Sequence, residues 1–270
     1  MGNIAIEIDP GPVSTLEKAM LCLRIIGSSS HGAMTATEIT AGAAVPKATA
    51  HRVLKSLVEQ KLLTFDANDK RYRLGPTILN LGLTALSQLD IPKIARPYLQ
   101  KLARETLETT TLSMLQGDSR VYLDQIPSTQ EIKMTVPLGM SFPLYAGASS
   151  KAILSAFTEQ QLAEYLEQVT MSPLTSSTPL DPQSLMHEIE EIHALGYAVS
   201  RGERQADAAS IAAPIMGSDG KVFGAISVSG PIQRFDRYGN RSIGRMVRES
   251  AVALSTEIGF TGRFPNSFQS

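Results

Sequence analysis

Apolar residues recur along this chain in two distinct rhythms. From Ser14 to Ile26 the apolar positions Leu16, Ala19, Met20, Leu23 and Ile26 follow helical spacing. Ser14 and Glu17 stand where a reciprocal capping box would open that helix. The run Ser28–Ser30 and Gly32 ends it, and Thr35 or Thr37 opens a short second helix through Ala43, with Glu38 in its first turn. Pro46 suits the start of a third helix, in which Ala50, Val53, Leu54 and Leu57 share one face. Next, Leu62–Phe65 and Arg71–Leu74 read as two strands about an Asp66-Ala67-Asn68-Asp69 turn. Gly75-Pro76 introduces an almost uncharged helix carrying Ile78, Leu79, Leu81, Leu83 and Leu86. Asp90 and Pro92 break it, and Pro97 starts another helix through Glu108.

From Thr111 the rhythm changes to period two. Thr111–Gln116, Arg120–Gln125 and Ile132–Val136 read as strands, then Ser149–Phe157, Thr158–Gln168 and Asp181–Leu195 as helices. Tyr197–Arg201, Ser210–Met216 and Val222–Ser229 return to strands, the last two joined by the tight turn Gly217-Ser218-Asp219-Gly220. A long amphipathic helix over Asn240–Ile258 follows. This order predicts an antiparallel sheet with helices on its faces, an α+β sandwich.

Length and charge refine that picture. The 270 residues suffice for two domains, and at 43% apolar they can bury a core. One cysteine, Cys22, excludes an internal disulfide or a cysteine-based zinc cluster. No stretch approaches the roughly 18 uncharged apolar residues of a membrane span, and Met1–Pro12 lacks the charge pattern of a secretion signal. A soluble, cytoplasmic protein is expected. Net charge is only −1, yet between Lys47 and Arg73 seven cations face three carboxylates, a local +4. A basic module on an acidic partner domain points to a DNA-binding regulator.

The third helix carries Lys47, Ala48, His51, Arg52 and Lys55 opposite its apolar face. Two short helices, a tight turn and a following hairpin make a winged helix-turn-helix pattern. Thr49, His51 and Arg52 are expected to reach base edges, with Lys47 and Lys55 beside them. Lys70 and Arg71 on the wing are expected to meet phosphates of operator DNA. Helix 76–89, apolar on more than one face, is expected to bury one face against a second chain.

These stretches together resemble the IclR-type bacterial transcription regulators. The matching residues are Thr37-Glu38-Ile39, Pro46 through Leu54, Leu57 through Leu63 and Arg71 through Gly75. Farther on come Pro143-Leu144-Tyr145-Ala146, Ser150-Lys151-Ala152, Gly196-Tyr197-Ala198-Val199, Glu203, Ile211 through Ile215 and Ile226 through Pro231. The resemblance implies an α+β two-domain protein: a winged helix-turn-helix over 1–75, a linker and dimerisation helix over 76–94, and a GAF-like α/β sandwich effector domain over 95–270. It further implies a ligand-responsive regulator, a repressor of a catabolic operon, assembled as a homodimer or homotetramer.

The small-residue loop 144–151 runs into a helix whose free N–H groups would attract an anionic oxygen. The resemblance puts the effector contacts at the backbone of Ala148 and Ser149 and at Ser200 and Ser210, with Met134, Phe142 and Ala208 as the apolar wall. Family members that bind small keto acids tend to carry an acidic residue and a cysteine where this chain has Ser200 and Ser210, and a glycine at Asp207. A small organic acid, semialdehyde or lactone is expected, and no cofactor or metal. The competing readings are a hydrolase or amidase using Ser149 and Lys151, and an architectural DNA binder with a purely structural second half. The first lacks a second supporting constellation, and Lys151 on a first helical turn is expected to be exposed. His187 and His193 read as part of a solvated face.

Overall fold

The computed structural model describes residues 14–264 apart from 30–31, 44, 88–90 and 239. Two compact units divide at Leu89/Asp90. Ser30 and Asp90, expected to break helices, lie outside the described residues, as does the side chain of Leu86.

In the first unit, helix α1 (Thr15–Gly27) begins with the expected capping box between Ser14 and Glu17. Its packed stripe is Cys22, Leu23 and Ile26, whereas Leu16 and Met20 are 71% and 43% exposed. The apolar pattern therefore ran one helical face too wide, because only the stripe facing the other two helices is covered. Strand β1 (Ala33–Thr35), too short for a periodicity signal, precedes α2 (Ala36–Ala43). Thr35 opens α2, its N–H bonded to the Glu38 carboxylate and its hydroxyl accepting from the Glu38 N–H. Helix α3 (Lys47–Glu59) buries Ala50, Val53, Leu54 and Leu57. Strands β2 (Leu63–Asp66) and β3 (Arg71–Leu74) form the wing in a sheet of order β1-β3-β2. At Gly75 a Cβ would lie 2.2 Å from the Lys61 carbonyl oxygen, so only glycine lets the chain pass into α4 (Pro76–Ser87). Ile78 packs on this unit's core, while Leu79, Leu81 and Leu83 are each more than half exposed.

The second unit begins with α5 (Ile91–Thr106), a single helix that includes Pro97. A break before Pro97 was expected. Burial of Ala95, Leu99 and Leu102 at 0% exposure spans the proline and outweighs its roughly 3 kcal/mol helix penalty. Six antiparallel strands follow: β4 (Thr109–Gln116), β5 (Ser119–Ile126), β6 (Ser141–Pro143), β7 (Ala198–Arg201), β8 (Ala208–Met216) and β9 (Val222–Pro231), in the order β6-β5-β4-β9-β8-β7. The expected strand 132–136 is instead irregular. Its backbone is held by side chains: Arg234 donates to the Ile132 carbonyl, Thr109 to that of Met134, and the Gln125 amide clamps both polar groups of Val136.

Helices α6 (Ala148–Leu154), α7 (Glu159–Gln168, capped by Thr158) and α8 (Pro182–Leu195, capped by Asp181) cover one side of the sheet. Helices α5 and α10 (Asn240–Glu257) cover the other, and α9 (Ile232–Tyr238) follows β9. Strand alternation sorts the residues. Ile211, Ala213, Ile215, Ile226 and Val228 enter the α5/α10 core, whereas Ala212 and Ala225 face α6. The whole is the expected α+β two-domain architecture.

Candidate functional site

Helix α3 presents Lys47, Ala48, His51, Arg52 and Lys55 to solvent, with Thr49 half-buried. Among the described residues no carboxylate pairs with Lys47 or Arg52, and the Lys55–Glu59 contact is 3.9 Å long and largely solvated, hence weak. Three unshielded cations and two groups able to read base edges thus lie on one helical face. On the wing, Lys70 is exposed at the turn with φ +54°. Arg71 is not free. Its guanidinium donates to the Ala33 carbonyl at 3.1 Å and lies 3.5 Å from Glu38, bracing β3 against β1 and α2. Arg73 is clipped to Asp66 and Asp69 across the turn.

In the second unit a cavity of about 80 Å³ opens between the sheet and the start of α6. Of the expected contact residues, Met134, Ala148, Ser149, Ser200, Ala208 and Ser210 line it together. Phe142 does not. Its ring sits on β6 under the Arg204 guanidinium, 3.8 Å from Cζ to ring centroid, and edge-on to Tyr122 at 5.5 Å.

Reading the residues in order missed the part of the wall that β5 supplies. Arg120 and Tyr122 alternate on β5 toward this cavity, and Arg204 and Glu203 join them from the β7–β8 connection. The Tyr122 hydroxyl accepts from Arg120 Nη2 at 3.1 Å and from Arg204 Nη1 at 2.6 Å. Burial alone would raise the Tyr122 phenol, but the two guanidinium groups outweigh it and hold the phenol below its usual value near 10. Burial likewise depresses Arg120, whose side chain is fully enclosed. Arg120 Nε donates to Ser150 Oγ at 2.8 Å, while Nη1 is buried with no partner. Among the described residues no carboxylate pairs with either arginine.

Glu203 does not fill that role. Its two oxygens accept from Lys151 Nζ at 2.6 Å and from the Gly147 N–H at 2.8 Å. Lys151, expected to be exposed, is 1% exposed and bridges Glu203 to Glu188 on α8. The Lys151 amino group is engaged by these two carboxylates, and no hydrogen bond joins it to Ser149. His187 is solvated beside Glu190 and Glu191, while His193 contacts the Ser155 carbonyl at 2.8 Å. Among the described residues no group of metal-ligating side chains occurs, and no helix is long and apolar enough to cross a membrane.

Comparison with known proteins settles the class. Residues 15–67 match the model of the IclR helix-turn-helix domain, and residues 83–256 match that of the bacterial transcriptional regulator IclR C-terminal domain. The chain belongs to the IclR family. It is 33% identical over 228 residues to the HTH-type transcriptional regulator KipR of Bacillus subtilis, covering 84% of this chain and 91% of that one. It is 28% identical over 244 residues to the HTH-type transcriptional repressor AllR of Escherichia coli, covering 90% of each. The crystal structure of the Thermotoga maritima IclR superposes with TM-score 0.70 at 30% identity, over 91% of this chain and 99% of that one. An IclR homolog complexed with 4-hydroxybenzoate, from Microbacterium hydrocarbonoxydans, gives 0.76 at 25% identity, over 91% and 99%. This IclR-family member is accordingly a DNA-binding transcriptional regulator and not an enzyme.

Proposed function

We propose that this regulator is a repressor that binds operator DNA through α3 and the wing and releases it when a small organic acid enters the cavity of the second unit. Lys47, Thr49, His51, Arg52 and Lys55 form the DNA face, with phosphate contacts from Lys70 and Arg71. The protein acts as a homodimer, with homotetramers formed by pairing dimers. The linker of 76–94 supplies the seam, consistent with the exposed Leu79, Leu81 and Leu83. The cavity holds its ligand at Met134, Ala148, Ser149, Ser200, Ala208 and Ser210, with Phe142 behind Arg204. A related semialdehyde or lactone fits the same walls less well, having no charge for the arginines.

One observation carries the effector reading. Arg120 is a fully buried cation in the cavity wall, with one nitrogen unpartnered and no carboxylate beside it. Such a charge is costly to keep unless an anion completes it. The carboxylate of the ligand in the related 4-hydroxybenzoate complex supports an acid. For repression to respond, the acid must bind the DNA-incompetent state more tightly than the competent one. A mobility shift with DNA upstream of the protein's own gene, with and without a panel of organic acids, tests this. Some acid should both release DNA and raise the melting temperature. Operator affinity and melting temperature that no acid alters would refute it.

A further inference from the structure

The register of the sheet gathers separate serines into a row. Ser200 on β7 pairs directly with Ser210 on β8, and Ser210 pairs directly with Ser229 on β9. Direct partners project from the same face of a sheet, so these three hydroxyls rise side by side at the strand spacing, roughly 10 Å from end to end. All three line the cavity, as does Ser149 from α6. Among the described residues none of the four hydroxyls is engaged by another protein group, and Ser229 Oγ is wholly buried without a partner. The next pair along the sheet differs. Thr111 and Ser227 satisfy each other at 2.6 Å.

Two buried polar atoms in one cavity wall, Arg120 Nη1 and Ser229 Oγ, are therefore left unsatisfied by the protein. Native interiors seldom leave such atoms unpaired without a reason. Glu203 already occupies the Gly147 N–H that precedes α6. An aromatic or alkyl acid would satisfy Arg120 and leave the serine row buried against hydrocarbon, which is unfavourable. A neutral polyol would satisfy the row and leave the guanidinium bare.

We infer that the effector is a polyhydroxylated carboxylic acid, an open-chain sugar acid, whose carboxylate pairs with Arg120 and whose hydroxyls lie along Ser200, Ser210 and Ser229. This rests on the reading of the cavity as the effector site. A serine hydroxyl both gives and accepts a hydrogen bond, so the row suits vicinal hydroxyls without dictating a single orientation.

Titration calorimetry on the full-length protein separates the two levels. The probes are threonate, xylonate, gluconate, hexanoate, benzoate and sorbitol. At least one sugar acid should bind tenfold or more tighter than hexanoate and benzoate, since a site built to hydrogen-bond hydroxyls rejects analogues that lack them. Sorbitol should not bind measurably. Ser229→Ala should weaken the sugar acid by about tenfold and leave hexanoate unchanged. Arg120→Met should weaken every acid, with Arg120→Lys as a second variant that keeps the charge should the first fail to fold. Hexanoate or benzoate binding as tightly as the sugar acids, or Ser229→Ala weakening both kinds equally, overturns the hydroxyl assignment and leaves an acid site standing. No binding by any acid overturns both.

Discussion

Replacing Lys151 with methionine keeps most of the buried stem and removes only the ammonium. In the native protein that group is 1% exposed and joins Glu203, 8% exposed, to Glu188, 34% exposed. Removing one partner of a buried ion pair typically costs about 3–5 kcal/mol, because the remaining charge keeps its desolvation and loses its attraction. Glu188 can turn to solvent, so the lower end applies and Glu203 accounts for most of it. For a unit of this size each kcal/mol moves the melting temperature by about 2–4 °C, giving a fall of roughly 6–12 °C. A second effect follows from position. Glu203 also lines the cavity, and once released from Lys151 it competes with an incoming carboxylate for Arg120 and Arg204. Acid affinity should fall by about tenfold, equivalent to ~1.4 kcal/mol. The double variant Lys151→Met with Glu203→Gln should recover much of both losses. Scanning calorimetry reads the first effect and titration with a bound acid the second. A single variant within 1 kcal/mol of wild type, or a double variant no better than the single, would refute the assignment of Lys151 as the neutraliser of Glu203.

Arg52→Ala should cost about 1–3 kcal/mol of operator affinity and relax sequence preference, while Lys70→Ala should weaken all sequences evenly and lower the salt slope by about one; mobility shift across a salt series separates them, and full affinity in a Lys47→Ala, Arg52→Ala double variant defeats the proposed DNA face. Changing Leu79 and Leu83 to glutamate should turn the dimer into monomer at micromolar concentration by sedimentation, and an unchanged dimer places the seam elsewhere. Acid affinity should be full at neutral pH and fall as pH rises through the lowered Tyr122 value, because the phenolate then satisfies both guanidinium groups itself. The ligand-free protein should gain stability over that same rise, since a depressed acid contributes above its unfolded value near 10 and loses the contribution as pH falls through the folded one. Tyr122→Phe should abolish both trends, and a flat wild-type profile would sink the reading.

The first unit is legible because its signals are local. Ser14 with Glu17, and the spacing of Ala50, Val53, Leu54 and Leu57, lie within one or two helical turns of each other, and the structure keeps them as read. Errors arise where a distant surface decides. Leu16 and Met20 satisfy the helical period yet stay 71% and 43% exposed, and Pro97 stays inside α5 because the sheet buries Ala95, Leu99 and Leu102 around it. The segment 132–136 alternates like a strand, but its backbone partners are the side chains of Gln125, Thr109 and Arg234. No pattern confined to that segment signals this.

The cavity illustrates the same limit more sharply. Arg120 opens the expected strand 120–125 with nothing local to mark it as buried, and Lys151 reads as an exposed first-turn cation. Both are among the largest fully buried side chains of the described residues. What buries them is the strand order β6-β5-β4-β9-β8-β7, which sets α6 over β8 and β9 and brings the β7–β8 connection across to Tyr122. Loop chemistry alone favoured the N–H groups at the start of α6 as the anion seat. The folded chain spends the Gly147 N–H on Glu203 and adds an uncompensated positive charge at Arg120. Antiparallel register does the same for the hydroxyls. Ser200, Ser210 and Ser229 share no local motif, and they become a surface only once three strands are in phase. A one-residue slip of β8 would point Ala209 or Ile211 into the cavity and turn Ser210 into the α5/α10 core. The chemistry of the site is thus set by pairing, and the long apolar complement on the opposite face, Ile211, Ile215, Ile226 and Val228, is what holds that pairing in place.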